Sequence, residues 1–499
     1  MGWSRASQLR LFPPIEKWAI SRLVDRWRRR RTLGGRVERE PSPAAASAWS
    51  RCLAERESGT GGVMEPKRAA AAEDRLSSLP AELQEEILVR LDLRDAVRTS
   101  VLSRAWRDLW KSLSVISLSF PLGTHPSVVD SVLRPYIGPR VSLFNICVDD
   151  ASAGRIDDWL VALSRCSVEF IHMSGQLSSD YFNLHSSIFS FGGPMSLRLV
   201  CCNIPTLPIG FASFPALQKL DLNSVDFPAN GENQLEAIIR RSPLLHALDI
   251  SDVFIPDDCP DSVIEAPYLR SLTIYSAYDH GWRIGELPCL EDADINVSLC
   301  PRHEHDYGDF LARFAQVQKL TLFLPVNNVE IPYTLPLTFS NLKNLKLSMD
   351  FTEMHPILFM FTLLRSCHNL ENLEMKSFEG NWEFLNALWS DDMCANLQTV
   401  RMIYVHWLPK QISFMKLILS KARLLHTLYV DKCPDVFDDP KIDLLQCKRA
   451  SAQAHVLFEG TDYAPHSSFH LGHRSRMHGF GWLLVEIRNL YFQGLVQQY

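Results

Sequence analysis

The sequence predicts an α/β protein: a short three-helix module near the N-terminus, then a solenoid in which a curved parallel sheet is backed by helical returns. Three observations carry this reading. The pattern apolar-x-x-apolar-x-apolar recurs along most of the chain, amphipathic stretches precede several of its occurrences, and Asp74 to Leu113 hold three short runs of helical apolar spacing. With 46% hydrophobic residues, the 499-residue chain can fill a sizeable core.

The recurring pattern begins at Val141, Val168, Pro194, Leu217, Leu245, Leu269, Leu290, Val317, Leu342, Leu370, Leu397 and Leu425, at intervals of 21 to 28 residues. In Leu217-x-x-Leu220-x-Leu222 and its counterparts the apolar residues end in the alternation of a half-buried strand. A unit of one strand and one return cannot bury its apolar face alone, so neighbours must stack. Helical returns are predicted around Trp159, Leu235, Phe310, Phe361 and Phe414. The small residues Cys166, Ala315, Cys367 and Ala422 just before the strands read as core positions that let a helix end approach the sheet. The period falls in the leucine-rich-repeat range of about 20 to 29 residues. The units resemble the irregular plant type of F-box/LRR proteins, although the Asn usual after the strand is poorly kept.

The N-terminal module reads DRLSSLPAELQEEILVRLDLRDAVRTSVLSRAWRDLWKSL. Pro80 suits a first helical turn and Glu82 complements its dipole. Leu83, Ile87 and Leu91 recur at four-residue spacing beside Leu88. Asp92 can cap a second helix, whose inner face is Ala96, Val97, Ser100 and Val101. A third helix is expected after Ser103, with Leu102, Trp106, Leu109 and Trp110 on one side. Forty residues are too few to bury a robust core alone, so the apolar surplus calls for a partner.

Leu79-Pro80, Leu83, Ile87-Leu88, Leu91, the run AVRTSVLS and Trp106 with Leu109-Trp110 closely resemble the F-box, with Ala105 a departure where plant members carry Arg or Lys. The resemblance implies docking to the Skp adaptor of a cullin-based ubiquitin ligase, with no chemistry done by this chain. The adaptor-binding residues it implies are Leu79, Pro80, Leu83, Ile87, Leu88, Leu91, Val97 and Val101. CANLQTVRM from Cys394, ISFMKLILSKARLLHTLYV and CKRASAQAHVLF further resemble the FBD module that closes many plant F-box/LRR chains, with Ala452 where a Pro is usual.

The expected organisation is therefore a disordered basic and Ala-rich extension over 1–73, the F-box over 74–113 and a linker over 114–136. Leucine-rich repeats follow over 137–393, then FBD-like repeats over 394–458 and an atypical tail over 459–499. The extension carries Arg26 and Arg28 to Arg31, and its Ala/Ser/Pro/Gly-rich composition cannot repay the entropy of ordering. Met64 opens a lead-in typical of this F-box type, so no role is expected for what precedes it.

A net charge of -6 argues against a general nucleic-acid binder. The 12 cysteines show no CxxC pair, and no run of eighteen apolar residues occurs, which together favour reduced thiols in a cytoplasmic or nuclear protein. Phosphate-loop, dinucleotide, nucleophile-elbow and HExxH motifs are absent, so neither catalysis nor a cofactor or metal is expected. His303 and His305, flanked by Pro301 and Gly308, read as a solvated loop rather than a metal site.

Binding is expected instead on the concave sheet. Period-two alternation sends Asp221, Asp249, Thr273, Thr321, Lys346, Glu374, Arg401 and Tyr429 to its outward side. Their mixed charge favours a protein target over a phosphate backbone. The sequence thus reads as the substrate-recognition subunit of a Skp-cullin-F-box ligase, the alternative being a repeat scaffold outside any ligase.

Overall fold

A computed structural model describes residues 76–459, except 179–180, 230, 256–262, 277–282, 298–306, 325–334, 336–337, 352–353, 381–388, 391–392, 408 and 433–443. The expectations for residues 1–73, for His303 and His305 and for the tail beyond 459 lie outside the described residues.

The N-terminal module contains helices α1 (Ala81–Val89) and α2 (Leu93–Arg98). Asp92 caps α2, its carboxylate accepting the Asp95 N–H at 2.8 Å. The third expected helix is replaced by turns that end in a 3-10 segment, Leu109–Ser112. Trp106 and Trp110 are both sealed all the same, so the segment supplies two indoles to the core without continuous helix. Ser77 and Ser103 hydroxyls, 2.7 Å apart, tie its start to the chain before α1.

Further helices are α3 (Pro126–Leu133), α4 (Ile156–Leu163), α5 (Gly231–Arg240), α6 (Tyr307–Ala312), α7 (Met354–Ser366) and α8 (Pro409–Lys421). The early strands are β1 (Ile116–Phe120), β2 (Arg140–Val148), β3 (Ser167–Gly175), β4 (Phe182–Asn183), β5 (Ser196–Asn203) and β6 (Lys219–Asp226). Next come β7 (Ala247–Ser251), β8 (Val263–Ile264), β9 (Ser271–Ser276), β10 (Arg283–Ile284), β11 (Asp292–Val297) and β12 (Lys319–Leu324). β13 (Asn344–Phe351), β14 (Asn372–Gly380), β15 (Thr399–Val405), β16 (Thr427–Lys432) and β17 (His455–Glu459) complete the series.

Among the described residues one 15-stranded sheet runs in chain order from β1 to β17, with β4 on β5 and with β8 and β10 forming a separate pair. Every pairing is parallel, as a strand-and-return unit requires. The apolar pattern is its inner row: Leu197 stands beside Leu220, then Leu248, Leu272, Ala293, Leu320, Leu345, Leu373, Val400 and Leu428. All are buried, each large one contributing about 1.5–3 kcal/mol relative to exposure.

Residues 114–136, expected as a linker, instead contain β1 and α3, the first unit of the solenoid. Its strand is one residue short between its first two apolar positions: Ile116 pairs with Val141 and Leu118 with Phe144, across a register shift. The FBD-like residues add β15, α8, β16 and β17 to the same sheet without a break in pairing.

Among non-glycine residues, Cys201, Ser224, Asp252 and Tyr404 have φ of 54°, 51°, 48° and 56°. Each lies three residues past an outward side chain of the central row, at Arg198, Asp221, Asp249 or Arg401. The strands therefore end in a shared left-handed kink, after which Cys202 and Val225 remain paired. Asn341, Asn369 and Asn396 bridge the opposite ends of the strands, donating side-chain amides to the carbonyls of Gln316, Ser340 and His368.

Candidate functional site

The helical module and the sheet share one core. Leu88 is 1% exposed and lines a narrow cleft with Leu91, Ala96, Leu113 and Ile116. It is therefore the module's anchor in the chain's own interior, which corrects its assignment to the adaptor-binding set. The sequence pattern could not separate it from Ile87, because adjacent apolar residues on a helix fall on different faces and only the partner surface decides between them.

The remaining residues of that set are divided, Ile87, Leu91 and Val97 packing one side against the core. Pro80 is exposed, Val101 is 72% exposed, and Leu79, Leu83, Ile87, Leu91 and Val97 are half-buried. Val89 and Leu102, which the motif reading did not select for docking, are also exposed. The module thus presents uncovered apolar side chains while Leu88, Trp106 and Trp110 hold it to the sheet.

On the sheet's open face, the eight expected residues fall in one register row. Asp221 pairs with Asp249, Asp249 with Thr273, Thr321 with Lys346, Lys346 with Glu374, Glu374 with Arg401 and Arg401 with Tyr429. Asp294 bridges Thr273 and Thr321. The row continues through Arg198, His172, Asn145 and Ser119 toward the N-terminus, and to Leu457 at the other end. Asp294 occupies the same pattern position as the others, so extending the alternation to the Leu290 unit would have found it.

Within the row, side chains engage one another. Arg198 lies 3.4 Å from the Asp221 carboxylate, which is only 5% exposed. Lys346 Nζ is 2.9 Å from Glu374, and Arg401 is 3.2 Å from Asp431 while its guanidinium stands 4.9 Å from the Tyr429 ring centre. Lys376 lies 5.0 Å from the Tyr404 ring, and burial lowers its pKa from the ordinary lysine value. Among the described residues no three His, Cys, Asp or Glu side chains could hold a metal ion, and no helix is long and apolar enough to cross a membrane.

The F-box domain family matches residues 76–118, and the repeat family described as "FBD-associated F-box protein At5g56370, LRR repeats" matches 156–375. F-box/LRR-repeat protein 13 of Arabidopsis thaliana is 31% identical over 358 residues, 61% of this chain and 77% of the relative. The chain belongs to the plant F-box/FBD/LRR-repeat family. F-box/FBD/LRR-repeat protein At1g13570, also of Arabidopsis thaliana, is 26% identical over 430 residues, covering 77% of this chain and 98% of that one. A solved Leptospira interrogans LRR protein aligns with 77% of the chain and 99% of its own length at a TM-score of 0.35 and 15% identity.

F-box/LRR proteins are non-catalytic adaptors, and the architecture here is theirs: a helical F-box followed by a parallel leucine-rich-repeat sheet. Burial pushes Cys202 and Cys367 well above the ordinary thiol pKa and Cys394 up to about 12, the opposite of what a nucleophile needs.

Proposed function

We propose that this chain is the substrate-recognition subunit of a Skp-cullin-F-box ubiquitin ligase. The F-box docks the Skp adaptor through Leu79, Pro80, Leu83, Ile87, Leu91, Val97 and Val101, joined by Leu102. The observation that carries this reading is the contrast within one small module: Leu88 sealed at 1% exposure, Val101 open at 72%. An ordinary terminal cap would turn its apolar residues inward; this one leaves several for another protein.

The leucine-rich repeats then hold a target protein through the outward row from Asp221 to Tyr429. The ligase gains rate by raising effective concentration, not by altering bonds. The FBD-like residues 394–458 close the repeats, and the setting is cytoplasmic or nuclear.

Co-purification tests the proposal. Tagged full-length chain expressed in plant cells should bring down a Skp-type adaptor and a cullin together. Failure to recover the adaptor under conditions where another F-box protein recovers it would overturn the assignment.

A further inference from the structure

Charge on the open face of the sheet is segregated along the solenoid. From β5 to β11 the three outward positions of each strand carry the carboxylates of Asp221, Asp249, Asp292 and Asp294 against two cations, Arg198 and Lys219. From β12 to β16 the balance inverts: Lys319, Lys346, Lys376 and Arg401 against Glu374 and Asp431. Most of these charges also engage neighbours, among them Lys319 with Asp292 at 2.7 Å, so the field is that of two net excesses, not of isolated ions.

The cationic end has a second feature. Lys376 and Arg401 stand over the rings of Tyr404 and Tyr429 on the next strands, and the row then reaches Leu457, 46% exposed. Cations fixed on aromatic faces lose little freedom when a carboxylate arrives, and Tyr with Arg is the composition of interface hot spots.

We infer that the open face takes an extended segment of a target protein with segregated charge: basic residues over Asp249 and Asp294, acidic residues with an apolar or aromatic neighbour over Lys376, Arg401 and Leu457. This deepens the reading of the repeats as the target-binding surface and rests on it. Strands lie about 4.8 Å apart, so the four steps from Asp294 to Arg401 span about 19 Å, or about six residues of extended chain between the two charge blocks.

Fluorescence anisotropy with two synthetic peptides of identical composition tests this on the full chain. In one, a block of lysines is separated by a neutral spacer of about six residues from a block of glutamates and a tyrosine; in the other the same charges alternate. The segregated peptide should bind about tenfold tighter, a preference that falls with added salt. Asp249→Lys with Asp294→Lys should erase the preference and favour an all-glutamate peptide. Asp249→Asn with Asp294→Asn should weaken it without introducing new charge. Equal binding of the two peptides, or no binding of either at millimolar concentration, overturns the inference. Adaptor capture measured on the same samples separates the two ideas: capture with equal peptide binding removes the inference and leaves the ligase assignment, and loss of capture with the preference intact does the reverse.

Discussion

Glu85 on α1 accepts the backbone N–H of Ser114 at 2.9 Å, so one F-box carboxylate fixes the entry to the first strand of the repeats. Hydrogen bonds from the Ser114 side chain and backbone hold Glu85 below its ordinary pKa. A lowered carboxylate pKa adds stability above the unfolded value and loses it as pH falls through the folded one. Glu85→Gln should therefore flatten the acid side of the stability curve below about pH 4.5 and leave neutral adaptor binding intact. Thermal melts across that range check it.

Leu88 anchors the module, so truncating it should act on stability. Leu88→Ala is expected to cost about 2–5 kcal/mol, the range for a buried leucine whose site cannot fully collapse. Chemical denaturation provides the measurement, with Val89→Ala as a partly exposed control expected to change little. Deleting 74–113 entirely should also destabilise the repeats, since it uncovers Ile116, which shares the cleft with Leu88.

The turn after α3 is fastened by Tyr136. Its hydroxyl donates to the Arg140 carbonyl at 2.7 Å and also lies 3.2 Å from that of Leu113, and burial pushes its pKa up to about 12. The native state thus holds a proton that the unfolded chain releases near pH 10, so this contribution is complete below pH 10 and disappears as pH rises to about 12. Tyr136→Phe should cost about 1–2 kcal/mol at neutral pH and remove that alkaline limb. Gly138→Ala should also destabilise, because a Cβ there would collide with both the Leu113 carbonyl oxygen and the Tyr136 hydroxyl, so its effect should not add to that of Tyr136→Phe.

Thiol reactivity should follow burial. Cys289 is exposed, whereas Cys202, Cys367 and Cys394 are buried with raised pKa values. Among the described thiols, iodoacetamide at neutral pH should label Cys289 first and leave these three unmodified until the protein unfolds. Peptide mapping of a labelling time course decides the order.

The repeats were legible because inner positions demand large apolar residues and outward ones do not, a contrast that survives irregular unit length. The first unit escaped because β1 lacks one residue between Ile116 and Leu118, which breaks the template while a register shift preserves the pairing. The kink at Cys201, Ser224, Asp252 and Tyr404 was hidden for another reason. Four different residue types adopt one backbone state, and no single residue type announces it. In the F-box, helical spacing located the apolar residues, but which of them faced the sheet depended on contacts some thirty residues ahead, as Leu88 and Ile116 illustrate.

The proposed docking of the Skp adaptor uses an open apolar face on the F-box. Its most direct test is the dissociation constant of a purified Skp-type adaptor for the full chain, compared with Val101→Asp and Leu102→Asp, two exposed positions where a charge should leave the fold intact. A weakening of about tenfold or more in both variants, with unchanged melting temperature, is the expected result. Undiminished binding by both would rule out docking on this face.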